Sequence, residues 1–295
     1  MAHGNAALEE RPSKNVFKLA LAQLFVTQDK QANLTGASRL IVEAAIKGAN
    51  IVVLPECFIC PFSPSNFARF AEQIPGGETY EFLSGYAKEY RVYLIGGSIP
   101  ERGESGKLYD TCCVFGPNGE LVAKHRKEIV SETMPEKIPA RKESKAIYSN
   151  CESLAYVDTV YGRIGVGLCV DVNDSSLAKK AAQKDCIILV YPTLFTVDAA
   201  PIYWEVMQQA TANHTQIYIA ACSPARNYTS ELVPLGHSSV VDPSGRVIAS
   251  TKHEESIVYA DIDLEHLQVV RKNGTIISDA IEQVSPRVHC SSSSI

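Results

Sequence analysis

The run Ile51-Val52-Val53-Leu54, halted at once by Pro55, constrains this chain more than any other feature. Four aliphatic residues in a row leave no polar face, so a strand built from them must be covered on both sides, the habit of parallel sheets flanked by helices. The flanking segments agree. Val16 to Val26 (VFKLALAQLFV) reads as an earlier buried strand, and Asn33 to Lys47 sets Leu34, Ala37, Leu40, Ile41, Ala44 and Ala45 at helical spacing before Gly48. The three segments make a βαβ unit. Beyond it the sequence predicts a helix over Glu78–Tyr90 and a strand over Val92–Gly97. A hairpin follows, with Thr111–Phe115 and Leu121–His125 joined through Pro117-Asn118-Gly119.

The second half repeats this order after a stretch of low periodicity, Lys127 to Cys151, which reads as a long loop. Leu154–Asp158 and Arg163–Leu168 pair across Tyr161-Gly162, a helix is expected near Ser175–Lys184, and Cys186–Tyr191 is another buried strand. A helix near Pro201–Asn213, a strand at Gln216–Cys222 and two strands around Asp242-Pro243-Ser244-Gly245 complete the pattern. With no linker between the halves, the expectation is one α/β domain over residues 16–264. Residues 1–15 read as a disordered polar segment, and 265–295, with its terminal serine run, as a divergent and partly disordered one.

Charge and composition remove several function classes. The formal net charge is −5 and no long basic run occurs, so no nucleic-acid partner is expected. No apolar stretch approaches the roughly 18–20 residues of a membrane span, and the polar N-terminus lacks a signal-like segment, so the expectation is a cytoplasmic protein with no membrane partner. Nine cysteines, an odd number, sit mostly inside apolar runs and read as reduced thiols. GxSxG, P-loop and GxGxxG motifs do not occur.

Two residues, Glu56 and Cys169, stand where a parallel sheet places chemistry, at the carboxyl ends of strands, and Lys127 closes a hairpin strand before the long loop. Glu56 follows Leu54-Pro55 and is either a partly desolvated general base or a surface residue capping the next turn. Cys169 follows Gly165-Val166-Gly167-Leu168 and precedes a turn into a helix; it fits a nucleophile near a helix start, and equally a small buried apolar residue. Lys127 ends the run Lys124-His125-Arg126-Lys127, which without other information reads as a solvated hairpin end. Cys57-x-x-Cys60 has no second pair at zinc spacing, so no metal site is assigned to it.

With their neighbours, these residues resemble the Glu-Lys-Cys triad of the nitrilase superfamily of carbon-nitrogen hydrolases, and the text is most similar to its omega-amidase branch. The similarity is carried by Leu54-Pro55-Glu56-Cys57-Phe58, Ile95-Gly96-Gly97-Ser98-Ile99-Pro100-Glu101, Lys107-Leu108-Tyr109, Tyr191-Pro192, Trp204-Glu205, Ser223-Pro224-Ala225-Arg226 and Gly236-His237-Ser238. The resemblance implies a four-layer αββα sandwich with no metal or organic cofactor, assembled as a homodimer or larger homo-oligomer. It implies a small-molecule amide substrate, an omega-amide of a dicarboxylic 2-oxo acid, with Cys169 as nucleophile, Glu56 as proton carrier and Lys127 with the Val170 N–H holding the oxyanion. Glu143 matches the family's second glutamate, which orients the lysine or the substrate. Rival readings are a hydrolase of a nitrile, N-carbamoyl group or peptide-like amide, and an inactive homologue used as a scaffold. One departure bears on rate: the family carries an Arg where Asn173 stands, and its loss is expected to loosen the turn that presents the nucleophile.

Overall fold

A computed structural model describes residues 15–129, 154–198 and 203–284. Thirteen strands among these residues form two sheets. The first contains β1 (Val16–Gln23), β2 (Ile51–Val53), β3 (Tyr93–Ile95), β4 (Ile99–Arg102), β5 (Leu108–Phe115), β6 (Leu121–Glu128) and β13 (Ser256–Asp263). The second contains β7 (Ala155–Thr159), β8 (Gly162–Val166), β9 (Cys186–Pro192), β10 (Tyr218–Cys222), β11 (Ser239–Val241) and β12 (Val247–Ser250). In each sheet three parallel strands, β1-β2-β3 and β8-β9-β10, lie between antiparallel neighbours. The repeat legible in the sequence is thus a repeat of topology.

Side-chain alternation sorts the layers. In β1, Phe17, Leu19 and Leu21 point to the space between the sheets, where they meet Ile164, Val166, Ile188 and Val190 of the second sheet. Ala20 and Ala22 point the other way, against Leu34, Leu40 and Ile41 of helix α1 (Lys30–Ile46) and near Leu83 and Ala87 of α3 (Glu78–Tyr90). On the outer face of the second sheet Leu189 and Tyr191 pack on Leu177 and Ala181 of α4 (Ser175–Gln183) and on Ala212 of α5 (Trp204–Thr215). The stacking is helix, sheet, sheet, helix, the four-layer αββα sandwich expected from the resemblance.

Four elements escaped the sequence reading. Helix α2 (Pro64–Phe70) and strand β4 are too short for a periodic signal, although Ser63 caps α2 by accepting from Asn66 N–H. Strand β13 has mixed polarity because one face is half-exposed, yet it pairs with all eight residues of β1. Helix α6 (Leu264–Val284) occupies much of the segment expected to be partly disordered. Its first turns are tied down: Leu267 is buried in the inter-sheet core, the Leu264 N–H donates to Asn15 O, and the Asp263 carboxylate accepts from the N–H groups of Glu265 and His266. Residues 1–14 and 285–295 lie outside the described residues, as does most of the long loop. No described helix is long and apolar enough to cross a membrane.

Candidate active site

Glu56 is delivered by the end of β2, where the strand leaves the sheet at Pro55. The exit is shaped by Gly97, whose φ of +61° and lack of a Cβ let the 96–98 turn press on the Pro55 carbonyl; a Cβ there would lie 2.2 Å from that oxygen. Ser98 fastens the same turn: its hydroxyl accepts from Cys57 N–H at 2.9 Å and its N–H donates to Pro55 O at 3.3 Å. Glu56 is only 1% exposed, which settles the choice between surface cap and buried carboxyl in favour of the latter.

Lys127 lies on β6, and a bulge determines where it points. Phe115 pairs with Leu121, but Val114 pairs with Ala123, so Val122 is an extra residue. A one-residue slip turns every later side chain to the other face. His125 and Lys127 therefore stand opposite Cys112 and Asp110, with the inter-sheet residue Val114 opposite Ala123, and not on the helix-facing side with Phe115. Both are buried, Lys127 at 3% exposure, so it is not a solvated hairpin end.

Cys169 follows β8 in a short 3-10 turn, Cys169–Asn173, with φ of +43°, a left-handed conformation uncommon for a side chain with a Cβ. Asp171 holds this turn. Its carboxylate accepts from Leu168 N–H at 2.8 Å, lies 2.5 Å from Lys127 Nζ and 2.9 Å from His125 Nε2. Burial pushes the Asp171 carboxyl up, but the bonds from His125 and Lys127 outweigh it and leave the group below the usual aspartate value. The turn is thereby fixed to β6 by charge-assisted bonds. Asn173 is exposed, so the expectation that a missing Arg there loosens the turn is corrected: the position faces away from the buried network, and the anchor is Asp171.

The structure thus brings Glu56, Lys127 and Cys169 together. Glu56 and Lys127 both lie close enough to act on the Cys169 thiol, which donates to the Leu194 carbonyl at 3.6 Å. Burial and then the charge of Glu56 push the Cys169 thiol well up. Desolvation outweighs the pull of Lys127 on the thiol and keeps it neutral. Burial, reinforced by Asp110, likewise pushes Glu56 well above the usual carboxylate range. A neutral thiol beside a carboxyl of raised basicity is placed for proton transfer inside the pocket.

Val170 follows the nucleophile and packs with Cys57, Phe62, Phe67, Leu108 and Leu194 in an apolar wall beside the site. Glu143 lies outside the described residues. Sequence reasoning missed Asp110, His125 and Asp171; a carboxylate inside the otherwise apolar strand Leu108–Phe115 was the available signal for the first. Glu56, Cys57 and Asp110 bring three ligand-type atoms within 4.8 Å of one another. Burial, with the charges of Asp110 and Glu56 beside it, pushes the Cys57 thiol well up.

The sequence profile of the carbon-nitrogen hydrolases matches residues 18–272. The omega-amidase NIT2 of Mus musculus is 47% identical over 264 residues, 89% of this chain and 94% of that protein. The omega-amidase NIT2 of Homo sapiens is also 47% identical, over 87% of this chain and 92% of its own length. Among solved structures, Saccharomyces cerevisiae Nit3, of branch 10 of the nitrilase superfamily, superposes with a TM-score of 0.79 at 34% identity, covering 88% of this chain and 94% of that one.

Proposed function

The chain belongs to the carbon-nitrogen hydrolase family, and we propose that it is an amidase that hydrolyses the terminal amide of a small carboxylate-bearing compound, an omega-amide of a dicarboxylic 2-oxo acid, to the acid and ammonia. The similarity to omega-amidases over nearly the whole chain supports the substrate class. The observation that supports the mechanism is the placement of buried Glu56 and buried Lys127 beside the Cys169 thiol.

In this reading Glu56 takes the thiol proton as sulfur attacks the amide carbon, so the S–H bond breaks while the C–S bond forms. Lys127 and the Val170 N–H stabilise the oxyanion, a role suited to a cation already held rigid by Asp171. Glu56 then passes its proton to the departing nitrogen, ammonia leaves, and a thioester stays on Cys169. Water enters, Glu56 removes its proton, and the acid is released as the thiol re-forms. Glu143 is assigned to orienting the lysine or the substrate. The apolar wall of Phe62, Phe67 and Val170 keeps the dielectric low, which strengthens each electrostatic contact. No resident metal or organic cofactor enters the scheme. A cytoplasmic location and a homodimeric or larger assembly belong to the same reading.

The test is ammonia release over a panel of omega-amides of 2-oxo acids, the matching nitriles and N-carbamoyl compounds. Preferential turnover of the omega-amides is expected; release from nitriles alone would overturn the amidase assignment.

A further inference from the structure

Asp110 is fully buried on β5, directly across from Lys127 on β6, and one of its carboxyl oxygens lies within 4.8 Å of a Glu56 carboxyl oxygen. Two carboxyl groups buried this close together can bond to each other only if one of them carries a proton, because an ionised carboxylate only accepts. The surrounding charges point the same way. Among the described residues the groups facing this pair are Lys127, the thiols Cys57, Cys60, Cys112 and Cys169, and, one step further, Asp171 with His125. Lys127 is drawn toward Asp171 at 2.5 Å, and His125 is bonded to that same carboxylate. Lys127 is ion-paired with Asp171 and also acts on Glu56, so its single charge is shared between these carboxyl groups, while buried thiols lie around Glu56 and Asp110. Two adjacent ionised carboxylates there would repel each other in a medium that screens poorly.

Resting on the assignment of Glu56 as proton carrier, we propose that Asp110 is a positioning residue that holds one proton jointly with Glu56, donating it to the Glu56 carboxylate and so fixing which oxygen faces Cys169. The pair is a monoanion in the resting state. When Glu56 takes the thiol proton, an O–H bond forms on Glu56, the S–H bond breaks, and the negative charge moves to sulfur next to Lys127. The Asp110 proton stays where it is. After Glu56 gives its proton to the leaving nitrogen, the pair returns to a single proton. Because the two groups are coupled, they titrate as a pair, and the second ionisation, to a dianion, costs Glu56 its oriented donor.

Infrared spectroscopy of the full-length protein near neutral pH reads that proton directly, independent of turnover. The wild type is expected to show the carbonyl stretch of a protonated carboxyl group, and Asp110→Asn and Glu56→Gln each to lose it. Absence of the band from the wild type, or its persistence in Asp110→Asn, would overturn the proposal. In parallel, Asp110→Asn, whose amide still donates to Glu56, should keep ammonia release within about tenfold of wild type, while Asp110→Leu should lose roughly a hundredfold or more through misplacement of the base. Equal loss in both variants, with unchanged circular dichroism, would also overturn it. A wild type inactive on every amide but showing the band would count against the amidase reading and not against the shared proton.

Discussion

Replacing Asp171 by Asn removes one negative charge and nearly no volume, and the structure allows its cost to be worked out. Of the three groups on this carboxylate, the Leu168 N–H still finds an acceptor in the Asn carbonyl. The ion pair with Lys127 and the bond to His125 lose their charge, and both partners are buried. Charge-assisted bonds of this kind contribute about 1.5–3 kcal/mol each, and breaking a buried ion pair by removing one partner costs about 3–5 kcal/mol. The two routes agree on about 4 kcal/mol, which for a domain of this size lowers the melting temperature by on the order of 10 °C. The pH dependence fixes the sign. Asp171 has a folded pKa below its ordinary value of 3.8, so its contribution is fully present above that value and fades as pH falls through the depressed folded one. Denaturant unfolding followed by circular dichroism should show the full gap between wild type and variant near neutral pH. The gap should close as the medium becomes acidic below 3.8. A variant within about 0.5 kcal/mol of wild type at neutral pH would refute the claim that this carboxylate anchors the nucleophile's turn.

Other outcomes follow from the same geometry. Gly97→Ala, which must place a methyl group against Pro55 O at a positive φ, should destabilise by more than about 1 kcal/mol and depress turnover by displacing Glu56, as measured by unfolding and steady-state kinetics. Asn173→Arg should change ammonia release by less than about twofold, because surface positions away from the site perturb it little; a larger rise would restore the idea that a missing guanidinium limits the rate. Burial, aided by Asp110, raises the Glu56 carboxyl above 4.5, so activity should fall on acidification at a pH above that value; an acid limb at or below it would contradict a buried base. Iodoacetamide followed by peptide mass mapping should modify Cys169 before Cys57, Cys60, Cys112, Cys113, Cys186 or Cys222. Cys169 is 7% exposed and none of those six exceeds 1%, so faster labelling of any of them would contradict the described pocket.

The layers of the fold were legible in the sequence because their signals are local. Ile51–Val53 has no polar residue and lies inside a parallel array, the Glu78–Tyr90 helix has the bounds its periodicity indicates, and Pro117-Asn118-Gly119 turns the hairpin it announces. β13 and α6 were hidden because their partners lie at the opposite end of the chain: β13 zips onto β1, and α6 is held through Leu267 and Asn15. The site was half legible. Strand ends pointed to Glu56 and Cys169, whereas the inward orientation of Lys127 depends on a bulge at Val122 that no composition rule locates. The grip of Asp171 on His125 and Lys127 joins two sheets and becomes apparent only once they are stacked.

The central claim is that Cys169 is acylated by an amide substrate with Glu56 and Lys127 beside it. The most direct measurement is mass spectrometry of the intact and digested protein, quenched in acid during turnover of the best omega-amide from the panel, with ammonia release followed in parallel for wild type and Cys169→Ala. The account predicts an acyl adduct on the Cys169 peptide of the wild type, and neither adduct nor ammonia above background from the folded variant. Equal ammonia release from both proteins, or an adduct on another residue, would contradict it.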